Sequence, residues 1–97
     1  MAISVVLRRE NSEEVDRATI GLTVADLVRL TALVPMLRWV DAYGNTIFNA
    51  RQIHALKEEV CAAAPKDEDD EVLLGEIARL CELGEARPHR YLWFIGD

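Results

Sequence analysis

His89-Arg90-Tyr91-Leu92-Trp93-Phe94-Ile95 is the stretch on which the reading of the fold turns. Aromatic and aliphatic residues at this density favour an extended strand. Side-chain alternation then sets Leu92 and Phe94 on one face and Tyr91, Trp93 and Ile95 on the other. Both faces are apolar, whereas a sheet that wets one side carries polar residues there. The strand therefore predicts cover on both sides. Helices of the same chain can form one layer; the other calls for the amino-terminal half of the chain, a ligand or another protein.

Upstream of this strand, Leu73, Ile77, Leu80 and Cys81 recur at helical spacing, and Gly84 and Pro88 mark a conventional stop. The helix opens on Asp67-Glu68-Asp69-Asp70-Glu71, five acids that sit well against the positive end of the helix dipole and read as a solvent-facing start. A preceding helix begins at Asn49, an N-cap with Gln52 three residues on and a Phe48–Ile53 staple. Its buried face runs Ile53, Leu56, Val60, Ala64 to the stop at Pro65. Met36 to Asp41 reads as a strand, with Met36 and Val40 on one face and Leu37 and Trp39 on the other. Thr46-Ile47-Phe48 reads as its hairpin partner through the turn-prone Ala42-Tyr43-Gly44-Asn45.

Thr23 and Asp26 form a capping-box spacing, with Leu22 and Leu27 as staple. Leu27, Leu30, Thr31 and Val34 continue this first helix until Pro35, which disfavours helix at the residue before it. Ile3, Val5 and Leu7 alternate as a strand; Val15 to Ile20 is either a second strand returning beside it or an irregular connection. The predicted class is α+β: a mostly antiparallel sheet of four or five strands with two or three helices on one face, in a single domain over residues 1–97. Without the Val15–Ile20 strand, and with the last two helices merged, the order is βαββαβ, that of a ferredoxin-like plait.

Net charge is −6, with five cations against six anions in residues 1–49 and six against eleven in 50–97. This balance repels phosphate backbones and argues against nucleic-acid binding; it favours a basic partner. No apolar run reaches the length of a membrane span. The amino-terminal stretch lacks the basic lead-in and length of a signal peptide and reads as a strand. Cys61 and Cys81 read as two free thiols in a reducing cytoplasm.

Candidate chemistry is sparse. His54 and His89 stand in no metal-ligand spacing, and no metal or cofactor is called for. Cys81 falls on an apolar helix stripe, where it behaves as a small hydrophobe; Cys61 is nearer a polar boundary, one turn from Lys57, and reads as an ordinary inert thiol. The Asp41–Thr46 turn lacks the alternating acids of a calcium loop. No phosphate loop or nucleophile elbow occurs, so nothing supports an enzyme.

Asp41-Ala42-Tyr43-Gly44-Asn45-Thr46-Ile47-Phe48-Asn49 and Tyr91-Leu92-Trp93-Phe94-Ile95-Gly96-Asp97 together resemble a group of short, uncharacterised bacterial proteins with a D-x-Y-G-x-T-x-F-N segment and a Y-L-W-F-I-G-D-like end. The resemblance implies a bacterial cytoplasmic protein and carries no activity with it.

Two readings of function follow. In the first, the chain is a non-enzymatic interaction module, with Trp39, Tyr91 and Trp93 at an interface to a second copy or to a basic partner, in the manner of an immunity or antitoxin protein. In the alternative, it is a small-molecule binder or small enzyme with a pocket between sheet and helices, where Tyr43, Asn49, Gln52, His89 and Tyr91 are the polar candidates.

Overall fold

In the computed structural model, which describes residues 2–96, Arg90–Ile95 (β4) is an inner strand. Ser4–Arg9 (β1) lies on one side of it and Asn45–Phe48 (β3) on the other. Glu14–Arg17 (β2) completes the sheet beyond β1, giving the order β2-β1-β4-β3 with every pair antiparallel. Val24–Thr31 (α1), Ala50–Ala62 (α2) and Glu68–Glu85 (α3) are the helices. The α+β class follows directly from these elements. Met1 and Asp97, the last residue of the Tyr91–Asp97 segment, fall outside the described residues.

The return of the chain after β1 is a strand. Ser12 turns it through the left-handed region at φ 69°, and the register slips between Leu7 and Arg8, so that Val15 has no partner of its own. The capping boxes fall where the sequence puts them. Thr23 Oγ1 accepts from Asp26 N while Asp26 Oδ2 accepts from Thr23 N, and Asn49 and Gln52 exchange the same two bonds at the head of α2. Asp67 caps α3 by accepting from Asp69 N.

Met36 to Asp41 is not a strand. Pro35–Trp39 forms a 3₁₀ helix, for which Pro35 at its start is already set in φ and lacks a donor that would otherwise go unmet. Leu37 within it and the flanking Val34 and Val40 are buried, at a spacing of three that matches the 3₁₀ turn. This period, rather than the alternation of Met36 and Val40 against Leu37 and Trp39, governs the segment. β3 accordingly pairs with β4 instead of closing a hairpin on Met36–Asp41. With β2 formed and that strand absent, the element order is ββαβααβ and not βαββαβ.

All three helices and the 3₁₀ segment contribute to one core that meets the sheet on a single face. Val5, Leu7, Leu92 and Phe94 come from the inner strands and are 0–2% exposed. Phe94 meets Phe48 edge-on, with ring centroids 5.5 Å apart. Full burial of each such side chain stabilises the fold by about 1.5–3 kcal/mol.

The two segments singled out by their resemblance turn out to be bonded neighbours. Asp41 Oδ1 accepts from Tyr43 N, Asp41 N donates to Thr46 Oγ1, and Gly44 O accepts from Gly96 N at 2.7 Å. A Cβ on Gly96 would collide with the carbonyl of Ala42. The Asp-x-x-Gly-x-Thr turn is therefore a clip that holds the end of β4. Gly75, on the exposed side of α3, has no atom within 4 Å of where its Cβ would stand. Gly96→Ala should lower stability by about 1–3 kcal/mol through that collision. Gly75→Ala should raise it by about 0.5–1 kcal/mol through helix propensity. Urea unfolding of the two variants measures both signs; a neutral Gly96→Ala would remove the clip.

Candidate functional site

No helix covers the second face of the sheet. The register puts Ser4, Val6 and Arg8 of β1, Asn45 and Ile47 of β3, and Tyr91, Trp93 and Ile95 of β4 on that side. Val6 is fully buried between Trp93 and Arg17, its neighbours on the two adjoining strands. Trp93, Tyr91 and Ile95 are half-buried, and Ile47 is 46% exposed. The Arg8 guanidinium lies 4.6 Å from the centre of the Trp93 ring, a cation–π contact that shields part of the indole. The prediction of a two-sided apolar strand is thus met on one side by helices and on the other by these side chains alone.

Trp39 has a different setting from Tyr91 and Trp93. It stands on the 3₁₀ segment, 64% exposed, with Arg38 against its ring. Its expected partnership with the β4 aromatics assumed that Met36–Asp41 is a strand, and that basis is gone.

The polar candidates divide. Asn49, His89 and Tyr91 line one cleft of about 350 Å³ together with Ala50, Arg51, Pro88 and Arg90. Gln52 is one turn into α2, its side-chain oxygen occupied by Asn49 N. Tyr43 is exposed beside the Asp41 clip, at the Ile95 end of the sheet; the other candidates gather at the Arg90 end. A second cleft of about 450 Å³ adjoins the first, sharing Pro88, His89 and Arg90 and adding Arg9, Glu10, Asn11 and Arg87. Both clefts lie at the end of the sheet rather than between sheet and helices. His89 turns the chain between them at φ 62°, a left-handed conformation that histidine, like asparagine and aspartate, adopts more readily than other non-glycine residues. Arg9, Arg51, Arg87 and Arg90 belong to no sequence motif, so their convergence was invisible before the strands were paired.

The acidic run is less solvent-facing than the sequence suggests. Asp70 is 5% exposed and receives Arg29 of α1, with Nη2 at 2.6 Å and Nε at 2.8 Å from Oδ1. These acids lie on the helix layer, so the acidic run and the helix-free aromatic face belong to different surfaces of the molecule. Cys81 is fully buried and its thiol is pushed up to about 12, chiefly by burial, which leaves it inert as a nucleophile. Cys61 is exposed, and both cysteines are free. Among the described residues, no cluster of three His, Cys, Asp or Glu side chains could hold a metal ion, and no helix is long and apolar enough to cross a membrane.

No family model, no curated protein and no solved structure matches this chain.

The best-made polar cluster is structural. Glu76 of α3 accepts from Thr19 N and Thr19 Oγ1 at 2.8 Å and from Arg79 Nε at 2.9 Å, while Arg79 Nη1 reaches Asp16 of β2 at 2.7 Å. The Arg79 guanidinium, followed by the Thr19 bonds, holds the Glu76 carboxyl down to about 2. Arg79 likewise lowers Asp16. A carboxyl held low in the fold contributes stability above the ordinary carboxylate range and loses it as pH falls toward the folded value. The chain should therefore destabilise steeply between about pH 4.5 and pH 2. Glu76→Gln should be less stable at pH 7 and show a shallower acid dependence. Urea midpoints at pH 7, 4 and 2.5 check this, and an unchanged slope in the variant would exclude Glu76 as a source.

Proposed function

We propose that this protein is an interaction module that pairs with a second copy of itself through the helix-free face of its sheet, in the reducing cytoplasm that suits its two free thiols. The observation that carries the reading is Trp93 at the centre of a face with no helix over it, beside the exposed Ile47. Half-buried aromatics ringed by polar side chains are typical anchors of partner surfaces.

Charge favours a second copy over a basic partner on this face. Arg8 and Arg17 stand near Trp93, and the acids of the α3 start are on the helix layer. The charged fringe contains both signs: Glu14 is the register partner of Arg8 and is bonded to Arg17 at 2.6 Å. A two-fold axis sets each residue of a patch against its complement on the other copy, so Arg8 of one chain can meet Glu14 of its mate and the reverse. An acidic binder of a cationic toxin would instead need its anchors and its acids on the same surface.

Sedimentation equilibrium at about 10–200 micromolar tests the reading, since small interfaces of this kind dissociate in the micromolar range. A reversible dimer is expected. Ile47→Lys, at an exposed position on the edge strand, should shift it to monomer while leaving the thermal midpoint within a few degrees. A monomeric wild-type chain across that range would overturn the proposal, as would an Ile47→Lys variant that still dimerises like the parent.

A further inference from the structure

The geometry points to a binding site for a small polyphosphorylated compound at the Arg90 end of the sheet, in the paired clefts on either side of His89. The two clefts hold four of the chain's arginines, Arg9, Arg87 and Arg90 in one and Arg51 with Arg90 in the other, against a single acid, Glu10. In a chain of net charge −6 this is a local reversal of sign. Elsewhere Arg17 is paired with Glu14, Arg29 with Asp26 and Asp70, Arg79 with Asp16 and Glu76, and Lys57 with Glu85, while Arg8 and Arg38 lie over the Trp93 and Trp39 rings and Lys66 stands apart on another surface. Arg51 and Arg87 enter no ion pair among the described residues, and Arg9 reaches only the exposed Glu13 at 3.5 Å.

Arg9 and Arg90 are also direct register partners on adjacent antiparallel strands. Like charges placed opposite one another destabilise a sheet, and only Arg90 has a fixed internal acceptor, the carbonyl of Leu83 at 2.6 Å. An anion seated between them would turn that repulsion into attraction. Guanidinium forks suit phosphate oxygens, taking them two at a time. The amino end of α2 opens on the Arg51 cleft with no acid in its first turn, which reinforces the same potential. Two adjoining clefts with cations in both select a ligand with at least two phosphate groups over one with a single phosphate. The half-buried Tyr91 ring and Pro88 offer an apolar wall for whatever the phosphates are attached to. This site shares Tyr91 with the helix-free face, but its arginines Arg51 and Arg87 are outside the sheet.

Calorimetry with inorganic tripolyphosphate and with inorganic phosphate, each at 150 mM salt, tests the assignment. Tripolyphosphate should bind one per chain and raise the thermal midpoint, with phosphate at least tenfold weaker. Arg51→Ala and Arg87→Ala, both at exposed positions the fold tolerates, should each weaken tripolyphosphate at least tenfold. Lys66→Ala, an exposed cation elsewhere on the surface, should leave it unchanged. Equal losses in all three variants would show only diffuse attraction and overturn the site, as would absence of binding. Tight capture of a single-stranded oligonucleotide without any response to tripolyphosphate would overturn it in favour of a nucleic-acid surface.

Discussion

The structure depends on one constraint: β4 is flanked by strands on both edges and apolar on both faces, while the chain has helices for one face only. Leu92 and Phe94 take the helix side, where α2 and α3 exclude water completely. Tyr91, Trp93 and Ile95 are left to a surface that this molecule covers with side chains alone. Val6 shows how far such cover reaches. It is fully buried beneath its neighbours, yet the Trp93 ring that helps bury it stays partly in solvent, screened by an arginine. A second layer of protein would complete what Arg8 begins.

Local chemistry was the most legible part of the sequence, because a cap or a punctuating proline acts within four residues. Both capping boxes, the three helices, β1 and β4 could be read from their own segments. The reading failed where two periods fit the same residues. Met36–Asp41 alternates well enough for a strand, but Val34, Leu37 and Val40 also recur in threes, and Pro35 tips the backbone toward the 3₁₀ form. That error carried the hairpin, the ferredoxin-like order and the place given to Trp39 with it. Long-range contacts were illegible for a different reason. Nothing near Asp70 announces Arg29, and nothing near Thr19 announces Glu76, since those partners are 41 and 57 residues away in sequence. The clip between Gly44 and Gly96 is similar: both segments looked distinctive alone, and only pairing reveals that each is distinctive on account of the other.

Charge organises the molecule into separate surfaces. Acids crowd the start of α3, where the helix dipole and Arg29 hold them, and α3 carries further acids at Glu76, Glu82 and Glu85. Arginines gather at the opposite end of the α2–α3 pair, around Pro88 and His89. Total charge therefore misleads about partners. The sum of −6 suggests a surface that repels phosphate, yet the clefts on either side of His89 carry the other sign, because screening at physiological salt confines each field to roughly 8 Å.

β4 also joins the two surfaces of interest, and this decides how they can be told apart. Tyr91 belongs to both, lining the Arg51 cleft while facing the helix-free side, so its loss would blur assembly with ligand binding. Ile47 is on the edge strand at the level of Trp93 and does not line either cleft, whereas Arg87 follows α3 and is no part of the sheet. Perturbing Ile47 thus addresses the face and perturbing Arg87 addresses the cleft. If the two properties nevertheless moved together, the link would have to run through β4 itself, from the turn at His89 along the strand to Trp93.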